Sequence, residues 1–402
     1  MDPTPATTDP RLTGHMPGLD GLRGLAAILI VIYHYTSWQW AHPFPGEPTD
    51  AMRTIITIRQ YGWLGVDVFF VLSGFLITGI LIKTRQHPHY FRHFYIRRAL
   101  RIFPLYYLAL VGALIIAPRV LTVGPGEQTT LDNQAWLWLY GTNFRMAFGP
   151  ERLFGEGWMS IRHFWSLAVE EHFYLVWPLL VYLTPPRLLG RVCVGFIALG
   201  VASRLASYAV FDPERVGPIV RAITPCHLDK LALGGLLAFV LHQNVMTLDR
   251  LRPWALSTLA AAFVFLVCCG CAGVRHETFL MQNAGYPLIA LASAGAIVLA
   301  LSAEPTSILQ RLLTNRLAVM LGTYSYGMYV WHNIPRYWLG HQGLGPKIAS
   351  ALHLNAAGGF IVSAIAMCIA SFLVAMVSYH GFEVWFLKLK KHADYRTQPR
   401  QT

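Results

Sequence analysis

Two side chains in the stretch LDGLRGLAAILIVIYHY, residues 19–35, have types and spacing suited to chemistry: the guanidinium of Arg23 and the imidazole of His34. Eleven positions separate them. At about 100° per residue that is roughly 20° beyond three full turns, so on a helix both lie on one face. At about 1.5 Å per residue they sit ~16 Å apart along the axis, roughly half of a ~30 Å hydrocarbon layer. An imidazole changes charge near neutral pH and is a natural acceptor for a hydroxyl proton. A guanidinium grips phosphate bidentately. The carboxylates of Asp67 and Glu170 are candidates to orient the imidazole, and Arg98 and Arg101 are further candidates to hold phosphate. A lipid-facing imidazole is costly, so this helix face is expected to look into a protein interior or a wet cavity.

The elements that must position these groups are membrane helices. Of 402 residues, 54% are hydrophobic and only 13% are charged, against about 25% charged in soluble domains. Apolar runs long enough to span recur along the chain, and irregular backbone cannot face lipid, so an all-α polytopic membrane protein is expected. Spans are predicted near 22–38, 62–82, 102–118, 164–183, 192–211, 228–243, 254–273, 284–303, 317–338 and 356–380. Residues 1–18 read as a disordered tail, 19–390 as one transmembrane domain and 391–402 as a basic tail. The first span serves as the insertion signal. The net charge of +12 suggests nucleic acid at first sight. The basic residues instead cluster in loops between apolar spans, as the positive-inside rule requires. The 12 Trp and 18 Tyr suit two water–lipid interfaces.

Charge bias orders the spans. If the short apolar piece at 135–148 stays re-entrant or interfacial, there are about ten transmembrane helices, N-in and C-in. Lys83–Arg101, Arg187, Arg191, Arg250, Arg252, Arg311, Arg316 and the C-terminal lysines then share the cytoplasmic side. This orientation puts Arg23 near the inner face and His34 in the outer half. Asp67 and Glu170 also fall at outer depth, while Arg98 and Arg101 lie at the inner mouth.

Each residue has a plainer alternative. His34 could pack against a neighbouring helix, Arg23, Arg98 and Arg101 could be inner-face anchors, Asp67 could complement a helix dipole, and Glu170 could cap at the interface. Arg97 reads as an anchor, Glu171 and His172 as solvated or packing residues, and Ser73-Gly74 as close helix packing. Tyr324, Ser325, Tyr326 and His332 read as packing, with a cavity lining as the alternative. His15 and Asp20 have the spacing of the HxxxxD motif of glycerolipid acyltransferases, but Pro17 and Gly18 lie between them. Ser325 in GTYSYG misses the G-x-S-x-G elbow by one residue. Cys268, Cys269 and Cys271, and the loop with His87, His89 and His93, lack metal-site spacing, so no metal is expected.

Five stretches in order resemble the membrane-integral acyltransferase-3 family, across about residues 18–390. They are the Arg–ten–His pair of Arg23 and His34, GVDVFFVLSGFLI with Asp67, RRALRIFPLYYLAL with Arg98 and Arg101, FWSLAVEEHFYLVWP with Glu170, and LGTYSYGMYVWH at 321–332. His172 stands where the family usually has Gln. The resemblance implies O-acylation of an extracytoplasmic glycan from acyl-CoA at a bacterial inner membrane. His34 would then be the base, with Asp67 or Glu170 orienting it. Arg23, Arg98 and Arg101 would hold acyl-CoA, most simply acetyl-CoA, as a co-substrate, with no tightly bound cofactor. Some relatives carry an added periplasmic esterase-like domain, and this chain is expected to act without one in cis. The alternatives are a glycolipid or acyl-carrier transporter, which would show an inverted repeat not visible here, and a lipid or small-molecule acylase of the same family.

Overall fold

The computed structural model describes residues 9–38, 59–149, 153–154, 157–341 and 343–395. Among these residues there are helices and turns but no strand. Ten helices have 15 residues or more. They are α1 (Pro17–Trp38), α2 (Leu64–Thr84), α3 (Tyr90–Leu110), α4 (Trp165–Leu183), α5 (Leu189–Val210), α6 (Leu228–His242), α7 (Leu248–Cys271), α8 (Tyr286–Ser302), α9 (Arg316–Trp331) and α10 (Ala356–Ser378). Each overlaps one of the apolar runs, because an unbroken apolar stretch with few charges can satisfy its backbone only as a helix. Among the described residues seven segments are long and apolar enough to cross a membrane, built on α2, α3, α5, α6, α7, α8 and α10. The remaining three, α1, α4 and α9, carry Arg23 and His34, Glu170 and Glu171, and Ser325 and Tyr326. With 16 residues α9 is shorter than a spanning helix needs, and polar side chains such as Arg23, His34, Glu170 and Glu171 lower the apolar character of α1 and α4.

Close approach of backbones sets the bundle. A Cβ on Gly74 of α2 would fall 1.9 Å from the Leu231 carbonyl oxygen of α6, and one on Gly322 of α9 would fall 2.0 Å from the Asp20 carbonyl oxygen of α1. Glycine at these crossings lets helices meet at van der Waals distance, the main attraction available where lipid and side chains are equally apolar. Ser73-Gly74 therefore packs as expected at Gly74. Large apolar side chains such as Phe263 and Val264 on α7 point out of the bundle, the side a bilayer would cover.

Among the described residues between α3 and α4 no separate helix is long enough to span. A π-helical turn, Val111–Ile116, carries α3 on to Val120, and the helices Gln134–Trp138 and Thr142–Phe148 have 5 and 7 residues. A crossing helix needs ~20 residues. The break between them falls at Tyr140, with φ of 56°, whose ring stacks on Tyr106 at 4.1 Å.

Both termini depart from the expected tails. Residues 9–16 are folded: Pro10–Leu12 is a 3₁₀ turn, Leu12 is buried, its carbonyl accepts from Lys83 Nζ at 2.6 Å, and Arg11 pairs with Asp249 at 3.1 Å. The hydrogen bond to Arg11 also holds the Asp9 carboxyl below its ordinary pKa. One buried leucine and these polar anchors outweigh a composition that reads as disordered. At the other end, Leu389–Ala393 is a helical turn against α3, where Arg97 Nη1 donates to the Ala393 carbonyl at 3.3 Å. Residues 1–8 and 396–402 of the expected tails lie outside the described residues.

Candidate active site

On α1, Arg23 and His34 open on two different cavities. His34 lines one of about 600 Å³, the histidine cavity. Arg23 lines one of about 350 Å³, the arginine cavity, together with Arg98, Arg101 and Lys390. The two have Ile30, Val66 and Tyr329 in common. The helix spacing read from the sequence therefore carries one side chain to each compartment along a shared wall.

His34 is half-buried, and its Nδ1 lies 3.0 Å from the Ile30 carbonyl one turn back. A carbonyl only accepts, so this bond assigns the proton to Nδ1 and leaves Nε2 with a lone pair. Two further imidazoles stand beside it. His332, at the end of α9, has its ring centroid 4.8 Å from His34, and His163, in the turn before α4, lies 4.5 Å from His332 and 6.3 Å from His34. His332 Nδ1 donates to the Tyr329 carbonyl at 2.7 Å. Asn333 Nδ2 donates to His163 Nδ1 at 2.9 Å, which places the His163 proton on Nε2. Tyr35 donates to the His332 carbonyl at 2.7 Å, Tyr329 donates to the His163 carbonyl at 2.7 Å, and Ser166 bonds the Tyr329 hydroxyl. The Nε2 atoms of His163 and His332 are buried with no hydrogen-bond partner. Such orphaned groups suit a site that completes its bonding when occupied.

Two carboxylates expected at His34 bond elsewhere. Asp67, on α2, is an ion-pair partner of Lys230 on α6, beside a second buried pair, Arg204–Asp229 at 2.7 Å. A carboxylate taken out of water is held by the nearest ammonium, and Lys230 supplies it. Asp67 therefore does not orient His34. Glu170 lines the arginine cavity and accepts from the Tyr174 hydroxyl at 3.2 Å, because α4 turns it away from the imidazoles. The Ile30 carbonyl does the orienting instead.

The three expected arginines do come together. Arg23 donates to Asp20 at 2.7 Å, Arg98 sits 5.7 Å from the Tyr174 ring centroid, and Arg101 lines the same wall. Glu170 and Glu171 share that lining. His15 and Asp20 do meet, at 2.6 Å, but His15 is exposed and Asp20 is also committed to Arg23. Among the described residues no cluster of metal ligands occurs.

Among the residues of the histidine cavity that were not singled out from sequence are His163, Lys230, Asn333 and Arg336. Lys230 carried the clearest signal, a lone cation inside an apolar run that must find an acid. His276, in the loop after α7, also lines the cavity, and burial with the neighbouring Arg221 pulls its pKa down to about 4. It is neutral at physiological pH.

An all-helical membrane bundle with an imidazole cavity and a guanidinium cavity on one wall defines a class of multi-pass membrane proteins with a polar interior. The chain belongs to the acyltransferase-3 family, whose acyltransferase domain matches residues 16–380. It is 29% identical over 335 residues to a putative peptidoglycan O-acetyltransferase of Bacillus subtilis, covering 79% of this chain and 48% of that protein. It is 29% identical to a peptidoglycan O-acetyltransferase of Listeria monocytogenes, covering 79% and 49%, and 27% identical to a putative O-acetyltransferase of Staphylococcus aureus, covering 83% and 52%. The chain spans about half the length of the curated relatives it matches. No solved structure matches it.

Proposed function

We propose that this protein is an O-acyltransferase of a bacterial inner (cytoplasmic) membrane. It moves an acetyl group from cytoplasmic acetyl-CoA to a hydroxyl of an extracytoplasmic glycan, with the relatives' names pointing to peptidoglycan or a similar polymer. All ten long helices cross the bilayer, with both termini inside. The basic stretch 83–101 then shares the cytoplasmic side with the arginine cavity. Arg23, Arg98 and Arg101 hold the phosphates of the donor, and its thioester reaches the shared wall at Ile30, Val66 and Tyr329. His34 Nε2 takes the acceptor hydroxyl proton as the oxygen attacks the thioester carbonyl. The C–S bond breaks, and the sulfur leaves with the proton returned by the imidazolium. The observation that carries this reading is the placement of a lone-pair nitrogen and a cluster of guanidiniums on adjoining cavities of one helix.

The test compares a deletion strain carrying wild type with one carrying His34→Ala. Loss of a positioned base lowers rate by about 10²–10⁴, so ester signals in NMR spectra of the surface glycan should disappear. Wild-type ester levels from the variant would end the reading of His34 as base.

A further inference from the structure

The cations of the histidine cavity have no use in the transfer step itself. Arg162, Arg221, Arg336 and Lys230 line it, and among the described lining residues none is acidic. Arg221 is matched from behind the wall by Glu277 at 2.8 Å and Lys230 by Asp67. Arg336 differs. It is half-buried, and among the described residues its guanidinium donates only to the amide oxygen of Asn333 at 3.4 Å and no carboxylate lies within ion-pair distance. A partly desolvated guanidinium without an acid is a ready anion site, because the two-pronged donor fork matches a carboxylate or a phosphate. The contrast with the arginine cavity is direct, since Glu170 and Glu171 temper its cations.

Position gives the cation its meaning. The Asn333 amide that accepts from Arg336 donates through its other end to His163, whose ring neighbours His332 and His34. A negative group seated on Arg336 would therefore lie a short way from the base. Trp63 and Trp165 supply flat apolar faces in the same cavity, suited to sugar C–H surfaces beside the charge.

Building on the acyltransferase reading, we propose that the histidine cavity selects acceptors carrying an anionic group, a carboxylate or a phosphate, close to the hydroxyl that is acylated, and that Arg336 anchors that group. A carboxylate would belong to an acidic sugar, and a phosphate to a phosphorylated sugar or a lipid-linked carrier.

The experiment uses the full chain in lipid nanodiscs with acetyl-CoA. Three matched oligosaccharide acceptors differ only in one terminal unit: glucose, glucuronic acid or glucose 6-phosphate. Wild type should show kcat/KM at least about 10-fold higher for one or both charged acceptors, as a charge-assisted contact implies. Preference for the uronic acid alone assigns an acidic sugar, and preference for the phosphate alone assigns a phosphorylated one. In Arg336→Gln the charged-to-neutral ratio should fall to near one, and Arg336→Lys should recover part of it. Loss through misfolding would lower all three acceptors together, whereas the ratio reads only the anchor. Equal use of neutral and charged acceptors by wild type, or an unchanged ratio in Arg336→Gln, overturns the proposal and leaves the acyltransferase reading standing. Acetyl-CoA hydrolysis with no transfer to any acceptor also overturns it. Absence of both hydrolysis and transfer brings down the enzyme reading as well.

Discussion

A carboxylate and an ammonium that leave water together are tolerable only while both remain. Asp67 and Lys230 are each nearly inaccessible, and Lys230 also sits 4.0 Å from the Tyr286 ring centroid. Replacing Asp67 with Ala strands the ammonium, which costs roughly 3–5 kcal/mol, whereas removing both charges with similar volume is close to neutral. Thermal unfolding in detergent should show Asp67→Ala strongly destabilised and Asp67→Leu/Lys230→Met restored toward wild type. A double variant as unstable as the single one would mean that the pair does not account for the loss. Asn333 works through position. Its amide fixes His163 beside His332 and holds Arg336, and a misplacement near 1 Å can cost about 10² in rate. Asn333→Ala should therefore lower kcat by about that factor while the KM for acetyl-CoA, which the proposed function assigns to the other cavity, stays put. A parallel rise in the KM for acetyl-CoA would point to general loosening of the fold.

Helix crossings decide which residues become neighbours. Gly322 lets α9 touch α1 at Asp20, and this contact draws His332 to His34. A Val there must push the helices apart, so Gly322→Val should abolish transfer and lower the yield of monodisperse protein in gel filtration. Gly195 on α5 is a fitting control, since nothing lies within 4 Å of its would-be Cβ. Gly195→Ala should gain roughly 0.5–1 kcal/mol through helix propensity. Normal behaviour of Gly322→Val would refute the tight crossing. The same logic explains what was legible in the sequence. Ten long helices follow from ten apolar runs, because hydropathy is local. Arg23 and His34 were legible because both lie on one helix at a fixed pitch, and Arg98 and Arg101 because they sit one turn apart on α3. The partner of Asp67 was not, because it depends on which of several helices meets α2. His163 lies in a 3₁₀ turn and Asn333 and Arg336 in the first turn of the short helix Asn333–His341, where no long apolar periodicity marks them, and their meeting is a product of tertiary packing. The folded stretch at 9–16 was hidden for a similar reason: Leu12 finds its pocket only once the bundle exists.

At the scale of the whole molecule the decisive feature is the wall between the cavities. On the proposed reaction the donor side holds Arg23, Arg98 and Arg101 and the acceptor side holds His34 and His163, and Ile30, Val66 and Tyr329 border both cavities. Two of these three side chains are aliphatic and neither bonds anything, so they can be enlarged without breaking a hydrogen bond. Val66 is half-buried near the N-terminal end of α2, with space on either side. Val66→Trp adds an indole across the junction and leaves Arg23, Arg98 and Arg101 untouched. If a thioester must pass this point to reach His34, the variant should bind a non-hydrolysable acetyl-CoA analogue with wild-type affinity in a calorimetric titration, yet transfer acetyl at least about 10²-fold more slowly, as expected when reacting atoms are kept from near-attack distance. Val66→Ala should transfer at close to the wild-type rate, since it widens the same point. Full transfer by Val66→Trp would show that donor and acceptor do not meet through this wall. Loss of analogue binding would show instead that the donor occupies the junction itself, with its acyl end already beside the imidazole in the resting complex.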